Sequence, residues 1–130
     1  MLVLVSGIAP AVALSASENE RPRIVSAKAV GEAGREVRVV LVGRDRDDVV
    51  RGADITWGQN EPAQGLSACE QTARSQRADR RRRGRKARFE FSHSYGAGGD
   101  YAVTVRVLSG GCSDRPQQSS PARTLAVHVE

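Results

Sequence analysis

The stretch Phe89–Val107, FEFSHSYGAGGDYAVTVRV, limits the fold more than any other part of this chain. Phe89, Phe91 and His93 alternate with Arg88, Glu90 and Ser92, and Tyr101, Val103, Val105 and Val107 alternate with Ala102, Thr104 and Arg106. A period of two marks strands with one dry and one wet face, because successive side chains leave a strand on opposite sides. The glycine-rich segment between the two runs allows a tight reversal of the backbone. A hairpin with a single apolar face is not stable alone, so the remaining chain must supply a second layer to cover it.

Several segments can do so. Ile24–Val30 follows Pro22 and suits an edge strand. Glu36–Val42 (EVRVVLV) is rich in β-branched residues, as central strands are. Gly43–Asp48 (GRDRDD) is a charged turn, and Ala53, Ile55 and Trp57 then share a face, with Trp57 the largest single contribution to a core. From Gly58 to Gly84 the alternation stops, and so long a connection is unusual in a compact domain, which points to a short strand or a helical turn inside it. Asp114–Ser120 reads as a loop, and Arg123–Val129 closes the chain with Leu125, Val127 and Val129 on one face. Six strands, with a seventh in the long connection and no amphipathic helix, predict an all-β antiparallel sandwich of about seven strands over residues 22–130. At 130 residues and 39% hydrophobic content, the chain can bury one core without help from a metal.

The net charge of +5 is unevenly placed. The segment 74–88 holds eight Arg and one Lys against one Asp, a local +8, which leaves −3 for everything else. The protein is therefore a mildly acidic domain with one basic loop. Met1–Leu14 is apolar and runs into small residues resembling a cleavage region, so residues 1–16 read as a signal peptide, although no Lys or Arg precedes the apolar run. An ordinary first strand or a tail is the alternative. The segment is too short to span a membrane. Export makes a disulfide the default for the only two cysteines, Cys69 and Cys112, with a reactive or metal-binding role as the alternative.

The hairpin reads His93-x-Tyr95-x-x-x-Gly99-x-Tyr101-x-Val103-x-Val105, which resembles the H-x-Y-x-x-x-G-x-Y-x-V-x-V run of PKD-type domains in the immunoglobulin-like superfamily. Trp57-Gly58-Gln59-Asn60 is similar to the W/F-G-D-G element of those domains, with Gln59 and Asn60 in place of Asp and Gly. The resemblance runs from about Ile24 to Val129, is poor from Glu61 to Lys86, and does not include the basic insert. By analogy with antibody domains, Tyr101 stands two residues before Val103 as a tyrosine-corner residue does. Its hydroxyl is then expected to bond an upstream carbonyl and pin the crossing between sheets. Trp57, Tyr101 and Val103 are the expected structural core, with Trp57 packed against Val103 and Val39.

The candidate sites are few. His93 falls on the Phe89/Phe91 face and reads as structural, while His128 lies on the outer face of the last strand. Asp45, Asp47, Asp48 and Asp54 form the only acidic cluster, but Arg44, Arg46 and Arg51 stand among them, so a neutralised, solvated turn is expected rather than a calcium site. No metal ligand set, catalytic constellation or cofactor-binding glycine motif is evident, and neither an enzyme nor a cofactor is expected. Arg80, Arg81, Arg82, Arg83, Arg85 and Lys86 are the candidate binding residues, because guanidinium forks fit phosphate, sulfate and carboxylate. The PKD resemblance implies a secreted or cell-surface module that binds or spaces, contacting protein or carbohydrate. The alternative is a domain that binds an anionic polymer through Arg80–Lys86, and a merely solvated arginine loop stays open beside both.

Overall fold

The structure, a computed structural model, describes residues 21–58, 60–67, 81–111 and 116–130. Eight strands follow in order: β1 (Arg23–Ala33), β2 (Glu36–Arg44), β3 (Val50–Thr56), β4 (Ala63–Ser67), β5 (Ala87–Ser94), β6 (Gly99–Ser109), β7 (Gln118–Ser119) and β8 (Arg123–Val129). They form two antiparallel sheets. One has the order β1-β2-β5, and the other runs β4-β3-β6 with β7 and β8 sharing the far side of β6.

The alternation in the sequence becomes the core. Val37, Val39 and Leu41 of β2 and Phe91 of β5 face Ala53 and Ile55 of β3, Val103, Val105 and Val107 of β6, and Val127 and Val129 of β8. Trp57, one residue beyond β3, is fully buried in the same cluster. The central position of β2 explains its run of valines, since both of its neighbours supply hydrogen bonds and its inner face meets the opposite sheet. The edge strand β1 carries register shifts between Ile24 and Ser26 and between Val30 and Ala33. Such irregularities twist an edge and discourage pairing with another chain.

The strand count is eight rather than about seven. β4 occupies the patternless connection and pairs with β3 from Thr56↔Ala63 to Gly52↔Ser67. The additional strand, β7, lies in what the sequence presents as a loop. It is two residues long and pairs Ser119 with Leu108 and Gln118 with Ser109. Pro121 cannot donate to a ladder, so the chain breaks between β7 and β8. Ser120 bridges the break: its backbone N–H donates to Val107 O at 2.9 Å, and its Oγ accepts from Val107 N–H at 3.0 Å. The predicted leader (1–16), Cys69, Cys112 and Arg80 lie outside the described residues. Among the described residues no helix is long and apolar enough to cross a membrane.

Candidate functional site

The two ends of the sandwich differ in chemistry. At one end the β3–β4 loop, the β5–β6 turn and the start of β2 meet around a cluster of rings. Trp57 stacks on His93 with centroids 5.0 Å apart, and Tyr95 meets both rings edge-on. Tyr95 also stacks on Tyr101 at 4.0 Å. His93 Nε2 lies 2.8 Å from Glu61 Oε2, and the two side chains are only 11% and 17% exposed. The Tyr95 hydroxyl donates to Trp57 O at 2.8 Å, joining the end of β5 to the end of β3 and hence one sheet to the other. Burial, then the nearby Glu61 carboxylate and Tyr101, push the Tyr95 phenol up to about 12. Arg35 closes this end, with its backbone carbonyl accepting from Tyr95 N–H at 2.9 Å and its Nη1 donating to Gly96 O at 2.6 Å.

The sequence placed the pinning bond on Tyr101. Its hydroxyl does donate to an upstream carbonyl, Ala97 O at 2.6 Å, but that lies four residues back in the same ribbon and joins no second sheet, and the ring is half-buried. The inter-sheet bond belongs to Tyr95. Carrying the Phe89–Phe91–His93 alternation one step further would have put Tyr95 on the inner face. Glu61 had no such signal, because it reaches the cluster through a loop.

The other end gathers the β2–β3 turn, the residues before β5 and the start of β1. Here the expected solvated turn is overturned: Asp45 is 1% and Asp48 7% exposed. Asp45 Oδ2 accepts from the Ser109 hydroxyl at 2.5 Å and its Oδ1 from Asp47 N–H at 2.9 Å, while Asp48 Oδ1 accepts from Val49 N–H at 2.7 Å. These carboxylates hold the turn together from inside. Ser109, far away in sequence, gave no warning of this. Among the described residues, no group of three or more His, Cys, Asp and Glu is placed to hold a metal.

The arginine loop is fixed onto that turn. Gly84 N–H donates to Asp48 O at 3.2 Å, and Gly84 O accepts from Arg44 Nε at 2.6 Å. Gly84 has φ +72°, a backbone conformation that favours glycine, and it lies against Arg46 O. Arg81 and Arg82 lie in a helical turn, and Arg81, Arg82, Arg83, Arg85 and Lys86 are all exposed. Arg82, Arg85 and Lys86, with Arg51 and Arg88, rim a groove of about 380 Å³ floored by Val49, Val50, Ala87 and Phe89. A separate cleft of about 230 Å³ is lined by Arg21, Arg23, Arg44 and Arg46. No sequence pattern connects those four residues, since they come from the approach to β1, from β1 itself, from β2 and from the turn.

With two antiparallel sheets closed over a shared core and joined by a tyrosine at one end, the fold is an immunoglobulin-like β-sandwich of the PKD type. The chain is similar to the PKD1 domain of Vibrio anguillarum Epp, with a TM-score of 0.52 and 18% identity over 87% of this chain and 100% of that one. It is also similar to the C-terminal domain of wzt, with a TM-score of 0.56 and 13% identity over 86% of this chain and 75% of that one. No protein-family model matches the sequence, and no curated relative matches it.

Proposed function

We propose that this domain is a non-enzymatic binding or spacer module of the cell surface or the extracellular space, making contacts with protein or carbohydrate. The likeness to a PKD1 domain, which spans that domain entirely, carries this proposal. Nearly every described segment is spent on building the sandwich. The apolar leader of residues 1–16 supports export, and export supports a Cys69–Cys112 bridge. Expression with the full N-terminus in a bacterial host tests this. The mature chain should appear outside the cytoplasm, cleaved before the domain, with both cysteines protected from alkylation until reduced. A cytoplasmic, uncleaved chain with two labelled thiols would remove the export half.

A second function is favoured by one observation, the pinning of the basic loop by Arg44 and Asp48. Arg80–Lys86 then act as a contact for an anionic polymer. Retention on a heparin column, lost on changing Arg80–Arg83 to Ser, supports it. Equal retention of parent and variant removes it.

A further inference from the structure

We propose that the cleft of Arg21, Arg23, Arg44 and Arg46 is a second oxyanion site, and that it and the Arg82–Lys86 groove together take successive acidic groups of one linear, carboxylate- or sulfate-bearing polysaccharide. This builds on the polymer-contact role of Arg80–Lys86 and adds a second site, a direction and a ligand class.

The register of the first sheet places the charges. Ile24 pairs with Gly43 and Arg23 with Arg44. A Cβ on Gly43 would stand 2.6–2.9 Å from the side chain of Val107, so Gly43 faces the opposite sheet. Arg44 and its partner Arg23 therefore lie on the outer face, directly across from each other. Like charges opposite one another on antiparallel strands repel and destabilise the pair. On the other side of β2 the ladder ends at Gly43↔Ala87, so Lys86 stands one step beyond it, level with Arg44. Basic residues thus cross all three strands of the sheet at one end, where a bound anion would relieve their repulsion.

The cleft is also organised before any ligand arrives. Arg44 Nε is held by Gly84 O, which orients its guanidinium and places the arginine loop beside the cleft. Gly84 abuts the backbone of Arg46, a residue of the cleft, and leads into Arg85 and Lys86 of the groove, so the chain at Gly84 links residues of the two basic depressions. Among the described residues no carboxylate lines either depression, although Arg88 on the groove rim pairs with Glu90 at 2.8 Å. Asp45, which stands between Arg44 and Arg46 in the sequence, is turned inward onto Ser109. Converging guanidinium forks in a partly enclosed cleft bind carboxylate, sulfate or phosphate groups with two parallel hydrogen bonds each.

The lining selects the polymer. Among the described residues no aromatic ring borders the four-arginine cleft, and the one ring in the groove, Phe89, is half-buried in its floor. Single-stranded nucleic acids are held largely by base stacking on exposed rings. An acidic polysaccharide needs only the charged forks and the apolar stems of the arginines. The spread of the two sites along one sheet end suits an extended chain with a repeating charge.

The full chain is titrated with polygalacturonate, with heparin and with a thymidine homopolymer of matched length, at several salt concentrations. Four proteins are compared: the parent, Arg21→Ser/Arg23→Ser in the cleft, Arg82→Ser/Arg85→Ser in the groove, and Arg38→Ser/Arg106→Ser as an equal charge loss elsewhere. Neither cleft substitution touches the Gly84 anchor, and circular dichroism reports the fold of each protein. The expected result is binding of polygalacturonate or heparin by the parent, tighter than of the thymidine strand. The cleft and groove variants should each lose roughly tenfold in affinity and about two units of salt slope, with the control unchanged. If the cleft variant binds like the parent while the groove variant fails, the second site falls and the loop contact stands. If the parent binds none of the three polymers, both fall. Tighter binding to the thymidine strand overturns the polysaccharide assignment, and an equal loss in the control reduces the cleft to diffuse charge.

Discussion

The ring-bearing end and the arginine-bearing end of the sandwich solve opposite problems with similar backbone. At the first, Trp57, His93, Tyr95 and Tyr101 fill the space between the sheets, and directional bonds from Tyr95 and His93 fix them. At the second, carboxylates turn inward to knit a tight turn, and the arginines are left to point outward. The comparison teaches that stability and surface charge are spatially separated in this domain. Substitutions at the ring end should weaken the fold and leave anion binding alone, and arginine substitutions should do the reverse.

The largest effect is expected for Trp57→Ala. Removing a fully buried indole costs about 3–5 kcal/mol, a large part of the stability of a domain this size. Urea unfolding monitored by circular dichroism gives the value. A loss under about 1 kcal/mol would mean that the two sheets are not held together at this end. The folded remainder should still bind anionic polymer, because Trp57 and the arginine clefts lie at opposite ends of β3 and its neighbours.

Asp45→Ala comes next and tests the join between framework and charge. It leaves the buried Ser109 hydroxyl and the Asp47 N–H without their acceptor, at a cost of about 1–3 kcal/mol. Loosening the turn should also loosen Gly84, which bonds Asp48 O, and so weaken binding of anionic polymer even though a negative charge has been removed. Tighter binding in this variant would show that Asp45 acts only through its charge, and the internal framework would have to be abandoned. Gly43→Ala, which drives a methyl group into Val107 at the same end, should lose a similar amount through overpacking.

How much of this was legible in the sequence follows from how far each residue's partner lies along the chain. The alternation of Phe89–Val107, the valines of β2 and the face shared by Leu125, Val127 and Val129 are local patterns, and each became a strand lining the core. β4 (AQGLS) has one large apolar residue, Leu66, which is exposed, so no period could announce it. β7 is held by backbone bonds of two residues, which side-chain patterns do not report. The basic loop was visible as a run of like residues. The cleft of Arg21, Arg23, Arg44 and Arg46 was not, because only the β1–β2 register brings its members together. The burial of Asp45 depends on Ser109, 64 residues away, and charge spacing alone suggests a wet turn instead.

A smaller effect sharpens the ring end. The Tyr95 phenol is raised from 10.0 to about 12, by burial first and by Glu61 and Tyr101 after it. Because the folded value exceeds the unfolded one, the phenol's contribution is complete below pH 10 and is lost as pH rises through about 12. Tyr95→Phe removes the bond to Trp57 O, at a cost of about 0.5–1.5 kcal/mol at neutral pH. The difference in stability between parent and Tyr95→Phe should then shrink over the alkaline window, as urea midpoints at stepped pH would show. A difference that stays constant across the window would mean that the hydroxyl is not shielded at the meeting of the sheets.

The smallest change in stability is expected where the charge is greatest. Arg82 and Arg85 are exposed, and surface substitutions of this kind shift stability by no more than about 0.5 kcal/mol in either direction. Relief of repulsion among neighbouring arginines pushes toward stabilisation, while loss of their aliphatic stems over the groove floor pushes the other way. Arg82→Ser/Arg85→Ser should therefore unfold with the parent's urea midpoint and slope while eluting much earlier from an anionic column. Were the double variant to lose more than about 1.5 kcal/mol, well outside the surface range, these arginines would belong to the framework. The basic end would then be a structural joint rather than a surface held ready for an acidic chain.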